Sequence, residues 1–271
     1  MLKKFARRRI FNLSATLLTA LVFGALVHLI EIVAFDTAEF TGWMLLVLMV
    51  VLVCYNLRKK IVGVRLGSVA ASLQWHIYLG LISLVVFLEH LQWGMPNGAF
   101  ELTLAFFFAL TSMTGVMGLL LSRSFPKRLS QRGEEIIFER IKAYISQLRE
   151  ESEKLVFESA TLAASTSLTE HYVSDLSGFF QKPCNILSHL MFSRRPLIKV
   201  LQGLESLERH LNEEEKVAVS QLRTLIEKKD DLDFHYALQG ALKGWLFVHV
   251  PATAVLIALV AVHVFLVHAF S

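Results

Sequence analysis

Cysteine and proline are scarce, 2 and 5 among 271 residues, and charge is thin at 18%, against about 25% in an average soluble domain. Cys54 lies in an apolar run and Cys184 in a polar region, an arrangement that speaks against a disulfide framework and against a thiolate metal or iron–sulfur site. No glycine-rich dinucleotide fingerprint occurs, which removes a nicotinamide- or flavin-binding Rossmann domain from the expectations. The isoelectric point is about 9.1, but the basic residues stand at the ends of apolar segments. That is a topology signal, and nucleic acid is not an expected partner. No small-residue cleavage site follows the first apolar run, so a retained helix is expected there, not a removed signal peptide.

What the chain has in abundance is apolar length: 54% of it is hydrophobic and its mean hydropathy is +0.53. A membrane core about 30 Å thick needs roughly 20 apolar residues of helix. Five stretches meet or approach this, at about Phe11–Phe35, Gly42–Leu57 (the shortest), Ala71–Trp93, Ala99–Leu121 and Gly244–Phe270. The expected fold is an all-α membrane protein with five transmembrane helices in a bundle and a helical cytoplasmic insertion between helices four and five. In domain terms, residues 1–121 hold helices one to four, 122–243 the insertion and 244–271 helix five.

Basic residues set the orientation. Lys3, Lys4, Arg7, Arg8 and Arg9 precede the first run; Arg58, Lys59, Lys60 and Arg65 separate the second from the third. Arg123, Lys127 and Arg128 follow the fourth, and Lys243 precedes the fifth. The other two links carry no Lys or Arg; they and their flanks hold Glu31, Asp36, Glu39, Glu89 and Glu101. The reading is a multi-pass protein of the cell (inner) membrane with a cytoplasmic N-terminus and insertion and an outward C-terminus. Helices three and five then run in the same direction.

The insertion mixes both signs of charge almost evenly. Glu134–Ser152, Glu205–Leu211 and Glu213–Lys229 have helix-forming composition with i,i+4 charge pairs, and Pro183 and Pro196 are expected to break helices. His171, His189, His210 and His235 have no metal-ligand spacing, and solvated surface histidine is the expectation for each. The insertion is a candidate dock for a soluble electron-transfer partner, or simply a brace for the bundle.

The chemistry sits in two histidine pairs. Helix three carries His76 and His90 and helix five His249 and His263, each pair fourteen residues apart. Fourteen residues at 1.5 Å rise is roughly 21 Å and just under four turns, so each pair shares a face and reaches toward both leaflets. On parallel helices, His76 can face His249 near the cytoplasmic side and His90 can face His263 near the outer side. An imidazole on either side of a planar porphyrin is bis-histidine haem ligation, and bundle cores are where such cofactors are held. Two haem b are therefore the expected cofactors, with His76, His90, His249 and His263 on their irons. No CxxCH motif occurs, so no c-type attachment is expected.

Other readings compete for these residues. A single membrane histidine is often an interhelical hydrogen-bonding group. His28 and His268 are spare candidate ligands, His268 lying five residues past His263 and so off its face. Zinc wants four ligands close together in a structural site, which pairs roughly 21 Å apart do not supply. Gly24, Gly80, Gly115 and Gly118 could admit a porphyrin or simply allow close helix packing. Trp75, Trp93 and Trp245 read as interfacial belt residues. Arg65, Arg123 and Lys243 could pair with haem propionates, and Pro251 reads as a residue of helix five's first turns.

On these residues the chain resembles two families. His76 through Gly80 to His90 is similar to the third helix of the ferric-reductase-like superfamily, which includes the NADPH oxidases, and Trp245, His249 and His263 to its fifth. The paired fourteen-residue spacing also resembles the cytochrome b of quinol–cytochrome c reductases. The likeness covers about 150 membrane residues and implies di-haem ligation without fixing a substrate. Departures qualify it: no sixth helix follows, no flavin or nicotinamide domain is legible, and the later helices and quinol-site motif of the second family are missing. The resemblance thus implies an oxidoreductase-complex subunit whose other redox modules sit on separate chains.

The functional expectation is a di-haem b-type cytochrome carrying electrons across the membrane, with lipid and redox proteins on one or both sides as partners. One alternative is a membrane enzyme in its own right that reacts with quinone, for which His28, Glu31 or Glu89 would be the pocket groups. The other is a haem-free scaffold or transporter.

Overall fold

A computed structural model describes residues 10–11, 13–19, 21–25, 27, 37–57, 69–132, 136–163 and 165–270. Among them there is no strand. The chain divides into two compact units, Met1–Leu119 with Leu246–Ser271, and Leu120–Trp245.

In the first unit, α1 (Thr37–Leu57), α2 (Val69–His90), the start of α3 (Ala99–Leu129) and the end of α9 (Glu213–Phe270) supply the apolar helices. All four are long and apolar enough to cross a membrane. The run expected at Phe11–Phe35 is described only in part, with helical residues between Leu13 and Ala25. His28, Glu31, Asp36, the N-terminal basic residues and Arg58 to Arg65 lie outside the described residues.

Each span buries one narrow stripe and turns the rest outward, as expected where lipid replaces water as the outer solvent. Thr37, Thr41, Leu45 and Met49 repeat every fourth residue along α1, which puts them on one face, and all four are buried. Leu45 and Met49 of this face meet Val86 and Phe87 of α2, Phe108 of α3 and Leu256 of α9 in one core. Phe87 and Phe108 stack at its centre with ring centroids 3.9 Å apart. Outward on the same helices lie Val47, Val50, Phe106, Leu120 and Phe247.

Three boundaries differ from the sequence expectation. The second span starts at Thr37 and not Gly42, and its 21 residues suffice to cross a bilayer; the polar Thr-Ala-Glu start is helical because an acid in the first turn suits the helix dipole. The third span ends at His90 and not Trp93, since Gln92 and Trp93 adopt positive φ angles of 49° and 56° that no α-helix continues through. The fifth apolar stretch has no helix start of its own near Gly244. It belongs to a 58-residue helix starting at Glu213, so Pro251 lies deep inside a helix and not in its first turns. Proline there removes the N–H that the Phe247 carbonyl would accept. Two residues on, the Thr253 hydroxyl donates to the His249 carbonyl at 2.8 Å.

The second unit is built from α4 (Phe138–Ala163), α5 (Ser167–His171), a π-helical turn (Tyr172–Leu176), α6 (Ser177–Gln181), α7 (Ile186–Leu190), α8 (Arg195–Glu208) and the first half of α9. Here the helices are amphipathic in the ordinary soluble manner. α4 buries Ile141, Ile145, Ser152, Val156 and Ser159 and carries the ion pairs Arg149–Glu153 and Lys154–Glu158 on its wet face. Its Ser152 hydroxyl lies 2.7 Å from the Tyr172 hydroxyl inside the core. Phe180, Leu204, Leu222 and Ile226 are fully buried in the main cluster of this unit. Asn212 starts α9 with a reciprocal cap. The Glu215 N–H donates to the Asn212 side chain at 3.1 Å, and the Asn212 N–H donates back to the Glu215 carboxylate at 3.3 Å.

Two further expectations change here. Pro183 does separate α6 from α7, but Pro196 stands in the first turn of α8 and starts a helix, because its missing N–H is unneeded there. The surface reading holds for His210, which is exposed, and fails for His189 and His235, which are 2% and 1% exposed. His235 is buried because its Nε2–H donates to the Arg132 carbonyl at 2.6 Å. His189 faces a ring edge of Phe234 and has Asp230 Oδ1 3.6 Å from Nε2.

Candidate functional site

His90 and His263 approach each other across the first unit with ring centroids 6.4 Å apart and planes 87° to one another. His90 is the last residue of α2, and His263 sits in the final turns of α9. Each ring is half-buried. Two imidazoles on opposite sides of one metal, at about 2.0 Å per metal–nitrogen bond, have centroids roughly 6 Å apart. The observed separation therefore suits a shared metal and is too long for a direct hydrogen bond between the rings.

The hydrogen bonds around His90 decide which nitrogen is available. Its Nδ1–H donates to the Ala38 carbonyl at 3.0 Å, with the Thr41 hydroxyl oxygen 3.3 Å away. Thr41 itself donates to the Thr37 carbonyl at 2.7 Å, so its oxygen faces His90 as an acceptor. With the proton held on Nδ1, Nε2 keeps its lone pair, the state a metal-ligating imidazole needs. Gly42 completes the seat: a Cβ there would stand 3.1 Å from His90 Cε1, tighter than an ordinary contact.

The second pair repeats the pattern with different parts. His249 lies within electrostatic reach of His76, and the Leu52 backbone neighbours the His76 ring. Nδ1–H of His249 donates to the Thr114 hydroxyl at 2.9 Å, and Thr114 donates onward to the Leu110 carbonyl at 2.8 Å. Nδ1 of His249 is thus committed, and the Thr111 backbone also neighbours its ring. Gly115, next to Thr114, leaves room for the ring; a Cβ there would lie 3.7 Å from His249 Cε1, an ordinary contact.

α2 and α9 thus place the His90 and His263 rings 6.4 Å apart and His76 within electrostatic reach of His249. His268 is not among them. It is exposed, its ring meets Trp43 edge-on at 5.4 Å, and its Nδ1–H donates to the Val264 carbonyl one turn back at 3.0 Å. Lys243 is occupied as well, paired with the Glu139 carboxylate and lying over the Phe138 ring at 4.2 Å. Glu89 faces the first apolar run, where a Cβ on Gly24 would come within 3.3 Å of its carboxylate. Phe100 covers His263 in a near-parallel stack at 6.3 Å.

The sequence reading missed the residues that orient the rings: Ala38 by its carbonyl, Thr41 and Thr114 by their hydroxyls, and Gly42 by its lack of a side chain. A signal existed for two of them. Thr41 and Thr114 are polar interruptions of apolar helices, and each sits on its helix's buried stripe.

Among the described residues, no group of three or more His, Cys, Asp or Glu side chains is gathered closely enough to hold a metal ion on protein ligands alone. A haem would need few protein donors, and the imidazoles of His90 with His263 and of His76 with His249 are the groups that would hold one. No family model, curated protein or solved structure matches the chain.

Proposed function

We propose that this chain is a di-haem b-type cytochrome that carries electrons across a membrane as a subunit of a redox complex. The observation that carries the reading is the pair His90 and His263: rings 6.4 Å apart, with the His90 proton fixed on Nδ1 by the Ala38 carbonyl. In this proposal His76 and His249 hold the inner haem and His90 and His263 the outer one. When bound, each haem supplies reversible one-electron iron chemistry.

The chain's own contribution is ligation, orientation and exclusion of water. Ala38, Thr41 and Thr114 hold the imidazole tautomers. The fourteen-residue spacing on α2 and α9 separates the sites by roughly 21 Å along each axis. The apolar outer faces of the spans keep the sites in a low-dielectric slab and make membrane lipid a contact partner. Five crossings, a cytoplasmic N-terminus and 122–243 region, and an outward C-terminus complete the proposal, following the distribution of Lys and Arg. Redox proteins on one or both sides are the proposed electron partners, with quinone as the alternative acceptor or donor.

A reduced-minus-oxidised spectrum with a pyridine haemochrome count on the purified chain tests this. Two b-type haems per chain are expected, falling to one in His90→Ala and to one in His249→Ala. A chain expressed with ample haem that carries none is a scaffold or transporter instead.

A further inference from the structure

The second unit contains an open recess of about 280 Å³, away from the four histidines in sequence and lined by three arginines, Arg128, Arg132 and Arg194, with His189. No carboxylate lines it. We propose that this recess is a binding site for a phosphate group, carried either by a small solution ligand or by a lipid headgroup, a role separate from electron transfer.

The cations are held ready. The Arg128 guanidinium lies over the Phe192 ring at 3.6 Å and that of Arg132 over Phe234 at 4.3 Å. A guanidinium stacked by its face keeps its N–H edge for an anion. Arg132 is compensated by Asp230 at 3.4 Å and Asp231 at 3.8 Å. Arg128 and Arg194 make no ion pair among the described residues. Three guanidinium groups against two carboxylates, Asp230 and Asp231, which also lie within electrostatic reach of Arg194, leave a surplus of positive charge where two aromatic rings already limit side-chain freedom. Arg194 also stands at the N-cap of α8, where the helix dipole adds favourable potential for an anion.

The floor of the recess is the second, independent indication. His189 is 2% exposed, and its Nε2 is buried with no hydrogen-bond partner among the described residues. Asp230 Oδ1, 3.6 Å from Nε2, is too distant for a good hydrogen bond but close enough to favour the proton on that nitrogen. Buried polar atoms left unpaired are rare in folded proteins and call for a missing partner. Burial and the neighbouring Arg132 hold this imidazole near pKa 4, so it is neutral at pH 7 and offers one N–H. A carboxylate would offer its two oxygens in one plane to three guanidinium groups and one N–H. The three or four oxygens of a phosphate match them.

The test uses the full chain in two preparations. In detergent, stripped of lipid, it is dialysed against radiolabelled inorganic phosphate. In nanodiscs, retention of phosphatidic acid is compared with that of phosphatidylcholine. Saturable phosphate binding is expected if the ligand is soluble, and selective retention of phosphatidic acid if it is a lipid. Either should weaken about tenfold or more in Arg128→Gln and in Arg194→Gln, the loss of one charge-assisted hydrogen bond. Arg195→Gln, whose side chain does not line the recess, should bind as the parent does. Both test side chains are exposed, so circular dichroism should show an unchanged fold. Binding in neither preparation, or undiminished binding in both arginine variants, overturns the proposal.

Discussion

The Thr114 hydroxyl lies 2.9 Å from Nδ1 of His249 and donates its own hydrogen bond to the Leu110 carbonyl at 2.8 Å. This chain fixes the imidazole tautomer through one side chain. Thr114→Val keeps the shape and removes the acceptor. It is expected to weaken haem retention at the His76–His249 site by roughly 10- to 100-fold, the usual effect of losing a partner that orients a ligand. Thr114→Ser should restore it. A haemochrome count during dialysis against a haem scavenger separates the three proteins, and equal retention in all of them would remove the tautomer argument.

Gly42 and Gly115 make a matched comparison. A methyl at 42 meets His90 Cε1 at 3.1 Å, whereas one at 115 meets His249 Cε1 at 3.7 Å. Gly42→Ala should therefore push the His90 ring and lower occupancy of the His90–His263 site. Gly115→Ala should leave the spectrum of the other site close to that of the parent. Titration of the two haem signals that the proposed function expects is the measurement in each variant.

In the second unit, Lys229 and Asp233 form an ion pair of 2.5 Å with both side chains fully buried. Lys229 also donates to the Lys182 carbonyl at 3.0 Å. Lys229→Met leaves a buried carboxyl without its cation, with only the Cys184 thiol donating to it, and should destabilise this unit by about 3–5 kcal/mol. The double variant Lys229→Met with Asp233→Leu should recover most of that loss. Chemical denaturation followed by circular dichroism reads both, and a double variant as unstable as the single one would contradict this account of the pair.

Acid stability has opposing contributions. Burial raises Asp233 to about 6, against the pull of Lys229, and burial also raises Asp230 and Asp231. A carboxyl raised on folding contributes stability at low pH that is lost as pH climbs through its folded value. His189, lowered to about 4 by burial and Arg132, acts with the reverse sign: its contribution is complete above 6.5 and disappears as pH falls toward 4. His189→Gln should therefore make stability fall more steeply between pH 4 and 6 as pH rises. Denaturation midpoints across that window test the sign.

Much of the membrane architecture was legible because apolar length is a one-dimensional signal. The histidine pairs were legible because a period of fourteen residues projects onto one helical face. What the sequence hid were properties settled by neighbours. The start of α1 at Thr37 and the end of α2 at His90 depend on turn geometry beside the apolar runs. Pro251 read as a helix-start residue because the polar stretch before Gly244 gave no hint that one helix runs through it. His189 and His235 looked like surface residues because the groups around them, Asp230 near the one and the Arg132 carbonyl bonded to the other, come from other elements or a distant part of the chain. The orienting groups Ala38 and Gly42 act through a carbonyl and an absent side chain, neither of which has a sequence signature.

The closed cluster of Cys184, Lys229 and Asp233 also makes the chain its own reporter. Cys184 donates to Asp233 at 3.1 Å, has the Lys229 ammonium 3.2 Å away, and is pushed up to about 11 by burial and the adjacent carboxylate. A thiol so rarely ionised reacts slowly while the unit is intact. Cys54, the other cysteine, is exposed on an apolar span. A water-soluble alkylating reagent used on Cys54→Ser protein would therefore clock the opening of one unit by the rate at which a single sulfur becomes modified, with no added probe.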